Sequence, residues 1–416
     1  MTGLLLVETR GAKLELLMFS FEVLAEQGRA RASRLVTPHG PIDTPSFVPV
    51  GTQGTVKTLS GEDLRGMGSQ VVITNAYHLH LQPGEDVIKR LGGLHGFMGW
   101  DGPLMMDSGG FQIFSLGAGK EHGVGKIAPI FPEEQDRGRH LRPGKGKRLV
   151  KVDEEGVEFV SYLDGSRHRF TPHGVLEIEE KLGADIILIL DECTSPLHDY
   201  RYTEMAMERT HRWALQALGA FQGSGNKRQA LFGIVQGGMY EDLRQESASF
   251  IGDQNFDGFA IGGSLGRSKT EMHQVLEWVV PLLPAEKPRH LLGIGDMDDI
   301  FQVVNRGIDL FDCVAPTRMA RTGTVFSKGA KRHRIHILNA QFREDRRPID
   351  GTCHCPTCRH YSRAYLRHLF IAKELLGVRL ATIHNVWFLE SLMGQIRSAI
   401  REGRLGDLER EWCPQT

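Results

Sequence analysis

The chain has 416 residues, 40% hydrophobic and 24% charged, with 49 glycines and 18 prolines, a globular composition that excludes disordered, collagenous and disulfide-scaffold classes. This length accommodates two or three average domains, or one α/β barrel with an appendage. Formal net charge is only −1, but 19 Lys and Arg stand against 11 Asp and Glu from Arg306 onward, leaving 31 against 40 before it; a basic last third suits a nucleic-acid partner.

Residues 1–17 carry little pattern, and Glu8 follows the opening apolar residues without a basic region, so no secretory or transit signal is expected. Apolar runs are short and closed by charge, as Asp185 and Asp191 close 186–190, which predicts no membrane span and a cytoplasmic location. From there, eight apolar, often β-branched runs alternate with stretches of helical period: 45–51, 71–75, 103–107, 186–191, 230–236, 258–262, 290–295 and 310–313. Eight strand-then-helix units predict a closed (β/α)8 TIM barrel over 18–322. Ser60 with Asp63 predicts a capping box, and 202–221 and 269–283 predict amphipathic helices.

Two stretches interrupt the alternation. Within 117–171, the segment 137–151 holds seven Lys and Arg and reads as a flexible basic loop suited to RNA phosphates. Strand-like runs around 157–162 with an Asp164-Gly165 turn then predict a hairpin. Residues 323–416 hold a cysteine cluster and two helical segments, 363–376 and 385–402, and predict a zinc-binding subdomain together with the final barrel helix.

Barrel enzymes place their chemistry where strands end. Asn75, Asp107, Asp191, Gln236 and Asp312 each close an apolar run. Any one of them serves equally well as a helix N-cap; together they predict three carboxylates and two amides around one mouth. Like charges in a dry pocket push pKa values apart, and paired carboxylates are how glycosidic bonds are broken. Ser108-Gly109-Gly110, Gly237-Gly238 and Gly262-Gly263 allow close backbone approach to a ligand, yet no phosphate-binding fingerprint is present, which argues against a kinase or nicotinamide enzyme. Cys353, Cys355 and Cys358 supply three thiolates with zinc-site spacing. The fourth ligand is open among His360, His368 and His384; His384 would open the last helix and tie it to the loop. Four protein ligands predict a structural rather than catalytic zinc.

The motifs Asp107-Ser-Gly-Gly-Phe-Gln112, Asp191-Glu-Cys-Thr194, Gly233-Ile-Val-Gln-Gly-Gly238, Phe311-Asp-Cys-Val314 and Pro316-Thr-Arg318, with the cysteine set, together resemble bacterial-type tRNA-guanine transglycosylase from about Met18 to Leu405. The resemblance implies exchange of the wobble guanine of GUN-anticodon tRNAs for 7-aminomethyl-7-deazaguanine on the route to queuosine. Asp312 then matches the nucleophile that holds tRNA covalently, and Asp107 the general acid/base. Asp191, Gln236, Gly263, Ser108 and Cys193 match the base-recognition set, with Phe111 and Leu292 sandwiching the base. Arg318 and Arg321 match anticodon-binding residues, His384 matches the fourth zinc ligand, and a homodimer built partly through the zinc subdomain is implied.

Departures bear on the incoming base. Gly266 stands where bacterial members often carry valine beside the ring substituent, which predicts room for queuine, whereas Cys193 belongs to the motif that accompanies the smaller precursor. The segment 262–268 also lacks the family's usual glutamate, and Asp296-Met297 replaces a familiar pair. Direct queuine insertion and a non-catalytic tRNA-binding partner subunit are the alternative readings. A zinc hydrolase would instead want histidine ligands at strand ends.

Overall fold

The computed structural model describes residues 19–114, 150–266, 268–295 and 297–413; the expected extension 1–17 and most of the basic loop, 137–149, lie outside the described residues. Eight parallel strands follow in chain order: β1 Ser46–Pro49, β2 Val72–Asn75, β3 Leu104–Asp107, β4 Ile186–Leu188, β5 Ala230–Val235, β6 Gly258–Ile261, β7 Arg289–Leu291 and β8 Leu310–Cys313. From β2 onward each pairs with the next, β8 pairs with β1, and a single bridge from Val50 to Ile73, joining β1 to β2, closes the ring as a barrel. Their residues are almost all buried, which is why they read as continuous apolar runs rather than alternating ones. The expected strands are found within a few residues. The widest differences are at β7, which ends at Leu291, four residues before the expected end, and at β4, which leaves the ladder at Leu188, three residues before Asp191.

Ser60 and Asp63 form the expected capping box on helix Gly61–Met67. The two expected helices become Tyr200–Ser224 and Lys269–Val279, the latter followed by one 3-10 turn. The described part of the insertion holds a three-stranded antiparallel sheet, Val150–Asp153, Gly156–Val160 and Arg167–Phe170, one strand more than the expected hairpin.

The sequence reading missed a second antiparallel sheet, Ser20–Gln27, Ala30–Thr37 and Gly40–Thr44. It meets residues that sit just before barrel strands, and so plugs the N-terminal end. Asp43 N–H donates to Gln70, ahead of β2. His39 Nδ1 is 2.6 Å from Asp185, ahead of β4. Arg31 donates to the carbonyls of Ala285 and Lys287, ahead of β7, and grips Asp309, ahead of β8. With one end sealed, the opposite end is left for chemistry.

In the C-terminal part a hairpin, Thr324–Phe326 with Arg334–His336, leads to the cysteines and to helices Pro356–His360, Arg363–Ile371, Leu375–Arg401 and Leu405–Trp412. Helix Leu375–Arg401 begins ten residues before the expected start, so His384 lies inside it rather than opening it. Its first turns read weakly because Leu375 and Leu376 are solvent-facing leucines with no polar face opposite.

The Arg31–Asp309 pair is almost wholly buried, at 3% and 0% exposure. Replacing Arg31 by Met strands the Asp309 charge and is expected to destabilise the fold by about 3–5 kcal/mol; a denaturant titration showing a loss below about 1 kcal/mol would contradict the plug.

Candidate active site

The C-terminal ends of β2, β3, β5, β7 and β8, with the loops after β4 and β6, converge on one mouth. Asn75 and Asp107 are lateral partners on β2 and β3, and Asn75 Nδ2 donates to Asp107 Oδ2 at 2.6 Å and to Gln112 at 2.9 Å. Asn75 also caps helix Ala76–Leu81, accepting from the His78 N–H; the capping reading and the site reading of this residue both hold. Gly109 N–H donates to Asp107 Oδ1 at 3.2 Å. Burial first, then the charge of Asp312, lifts the Asp107 carboxyl to about 6, against the lowering effect of those hydrogen bonds.

Asp191 lies opposite, 5% exposed. A side chain on Gly110 would meet Asp191 Oδ1 at 2.6 Å, so the loop after β3 rests directly on this carboxylate and only glycine permits it. Burial and the neighbouring Asp107 push Asp191 up to about 7. Gln236 Nε2 donates to Asp191 Oδ2. A side chain on Gly263 would strike Gln236 Oε1 at 2.0 Å, which places Gly263 against that amide. Ser108 Oγ, Thr194 Oγ1 and Gln236 Oε1 are buried and without hydrogen-bond partners among the described residues. Three buried polar atoms without partners thus lie on the segments that carry these two carboxyls, where native interiors seldom leave such atoms unsatisfied. Burial raises the Cys193 thiol, keeping it protonated beside Asp191.

Asp312, on β8, is 14% exposed. His290 Nε2 lies 2.9 Å from its Oδ1, and Gly293 N–H donates to the same oxygen at 3.0 Å. Leu292 follows on the β7 loop, close enough that a side chain on Gly262 would touch its Cδ1 at 3.3 Å. Phe111 stands exposed at the rim. Helix Ala315–Arg321 leaves directly from β8 and carries Arg318 and Arg321, both solvent-facing. Thus every candidate residue of the mouth falls on a strand end or the loop after it.

Sequence reading missed two residues that organise the site. Arg244 is fully buried in helix Glu241–Gly252, and its guanidinium donates to the carbonyls of Val235, Gly238, Gly262 and Ser264. It ties the loop bearing Gln236 to the loop bearing Gly263, and burial lowers its pKa to about 9. Its partners are backbone carbonyls, which leave no sequence signal. His290 has one: a histidine opening an apolar strand.

Gly266 lies on the loop between β6 and helix Lys269–Val279. Its φ is +104°, and a side chain there would meet Glu271 Cβ and Oε2 at 2.6 Å and Met239 Sδ at 2.8 Å. Glu271 and Met239 therefore border Gly266 on the side its side chain would occupy.

Apart from the mouth, the donor atoms of Cys353, Cys355, Cys358 and His384 lie within 4.8 Å of one another and could hold one metal ion. His384 Nδ1 is 3.7, 3.4 and 3.3 Å from the three sulfurs in turn. Its Nε2 donates to the Phe326 carbonyl at 2.7 Å, which fixes the tautomer with a bare Nδ1 facing the thiols. His360 and His368 are not part of the cluster.

A family model described as "Queuine tRNA-ribosyltransferase" matches residues 26–130 and 141–416. A relative from Archaeoglobus fulgidus is 50% identical over 400 residues, 94% of this chain and 98% of its own. The queuine tRNA-ribosyltransferase of a Roseiflexus species is 49% identical over 95% of this chain and 99% of its own. That of Herpetosiphon aurantiacus is 47% identical over 95% and 92% respectively.

Asp191 gives a pH signature. Its carboxyl is raised from 3.8 to about 7 on folding, so the stability it contributes is fully present below the unfolded value and is lost as pH rises through about 7. Asp191→Asn removes that loss. The variant is expected to exceed the parent by roughly 1–4 kcal/mol at pH 8.5 and to match it at pH 4; thermal melts with the parent more stable at pH 8.5 would contradict the buried-carboxyl assignment.

Proposed function

The chain belongs to the queuine tRNA-ribosyltransferase family, and we propose that it exchanges the wobble guanine of GUN-anticodon tRNAs for 7-aminomethyl-7-deazaguanine by double displacement through Asp312. The observation carrying this reading is the unequal treatment of the mouth's carboxyls: Asp107 and Asp191 are pushed toward neutrality, while Asp312 has two N–H donors on one oxygen. Such a set divides into a nucleophile, a proton carrier and a base reader.

The target nucleotide leaves its stack and its guanine lies between Phe111 and Leu292. The adjacent N1–H and N2–H donors of guanine suit the two oxygens of Asp191. Donors on Gln236 and the Gly263 backbone suit its O6 acceptor, and Ser108 Oγ and Cys193 line the same recess. Asp312 attacks the ribose anomeric carbon as the bond to N9 breaks and its electron pair goes to the base. Asp107, titrating near 6, supplies the proton that neutralises the departing guanine. The incoming base reverses each step, losing its N9 proton to Asp107 and displacing Asp312. No triphosphate is needed, and water must be excluded for the intermediate to survive. Arg318 and Arg321 stand beside the nucleophile's strand, where anticodon phosphates would pass. Both carboxylates being in place disfavours the non-catalytic subunit.

Glu271 and Met239, filling the space beside Gly266, support the aminomethyl precursor over queuine. With tRNA preloaded with labelled guanine, the precursor is expected to release the label and queuine to do so at least about tenfold more slowly, a discrimination within reach of one steric contact. Equal or faster release by queuine would reverse the assignment, and no release by guanine itself would defeat the exchange reaction.

The thiolate-rich donor set and the fixed His384 tautomer fit a single zinc ion with four protein ligands, hence a structural one. Zinc there would clamp the Cys353–Cys358 loop to helix Leu375–Arg401. Beside it, Tyr365, Ile371, Leu375 and Leu376 are exposed, Leu375 at 84%, an apolar patch that suits a second copy of the chain in a homodimer. No described helix is long and apolar enough to cross a membrane. Cys355→Ala is expected to lose the metal and to melt at lower temperature, since such sites contribute roughly 10–16 kcal/mol in zinc peptides. One equivalent of zinc by elemental analysis with an unchanged melt would contradict the site.

A further inference from the structure

We propose that His290 is a positioning residue for the reaction: by donating from Nε2 to Oδ1 of Asp312 it fixes which carboxylate oxygen attacks. The inference rests on the reading of Asp312 as nucleophile. His290 is 0% exposed and sits on β7 beside β8, in register with Leu310, two residues from Asp312. Among the described residues both donors to Asp312, His290 Nε2 at 2.9 Å and Gly293 N–H at 3.0 Å, reach the same oxygen. Oδ2 receives none. An ionised carboxylate only accepts, so the shared proton resides on Nε2.

His290 Nδ1 is buried with no partner among the described residues. A ring used merely to fill the barrel would leave two polar nitrogens to satisfy; this one is retained with one nitrogen unsatisfied and the other on the nucleophile. Holding Oδ1 in two hydrogen bonds restricts rotation of the carboxylate about its Cβ–Cγ bond. The lone pairs of Oδ2 are thereby turned to the mouth, where the anomeric carbon must lie. In the displacement, Oδ2 forms the bond to that carbon while the bond to N9 breaks; the proton on Nε2 stays on the ring throughout, so His290 neither gains nor loses charge.

A rotation-fixing role differs from a packing role in what restores it. Gln carries an amide N–H at about the reach of Nε2, Asn falls one methylene short, and Phe fills the volume without a donor. The measurement is the single-turnover rate of covalent adduct formation with tRNA, alongside the tRNA dissociation constant and the thermal melt. H290F is expected to form adduct about 10–100-fold more slowly, the worth of one charge-assisted hydrogen bond, with tRNA affinity unchanged; H290Q is expected within about threefold of the parent. An adduct rate in H290F within twofold of the parent overturns the proposal, as does an H290Q as slow as H290F. Should H290F not fold, the contrast of H290Q with H290N decides on the same terms, equal rates overturning it. D312N run in parallel separates the two readings: adduct persisting in D312N defeats the nucleophile assignment itself, whereas adduct lost in D312N and undiminished in H290F defeats only the role of His290.

Discussion

Asp107, Asp191 and Asp312 share one recessed mouth, where burial and mutual repulsion oppose the charged forms of the first two. Left alone, three such groups would destabilise the fold or take up protons indiscriminately. Each is instead met by its own partners: Asn75 and Gly109 at Asp107, Gln236 at Asp191, and His290 with Gly293 at Asp312. The result is three carboxyls of one chemical type in three distinct hydrogen-bonding environments, two of them pushed toward the neutral form. A transfer that needs a nucleophile, a proton carrier and a base reader in turn can be run from such a set without a redox or phosphate cofactor.

The remainder of the molecule keeps those partners in place. Arg244 binds four carbonyls and so locks the loops after β5 and β6 together. The N-terminal sheet seals the far end through Asp309 and Asp185. On the C-terminal side, neighbours on one helix do two tasks. His384 faces the cysteines, while Asn385 accepts from Phe326 N–H and donates to the carbonyls of Pro316 and Thr324. Pro316 lies in the helix carrying the exposed Arg318 and Arg321, so Asn385 links the helix that bears His384 to that helix directly. A metal ion there would stabilise the helix that holds helix Ala315–Arg321 in place, at a distance from the mouth.

Barrel strands were legible because burial on both faces leaves unbroken apolar runs, and the strand-end acids because polarity breaks those runs. Asp191 remained recognisable even though β4 ends three residues earlier, since residues 189 and 190 stay buried. The N-terminal sheet was not legible: Ser20–Gln27 alternates only between half-buried and exposed, and in Ala30–Thr37 the charged Arg31 points inward to a buried acid, which disguises the pattern. Arg244 was hidden for the same reason, an ion whose partners are backbone carbonyls that no side-chain pattern announces. Helix Leu375–Arg401 was shortened because its exposed start is apolar. At Gly266 the neighbours are Glu271 and Met239, contacts between loop and helix that no sequence pattern announces.

The central claim is that Asp312, and neither of the other two carboxyls, takes the ribose. Incubating the protein with substrate tRNA, denaturing without added base, and digesting with nuclease and protease would allow the modified peptide to be mapped by mass spectrometry. The expected result is a nucleotide fragment linked to the side chain of Asp312. A fragment on Asp107 or Asp191, or guanine exchange proceeding with no linked peptide, would contradict it.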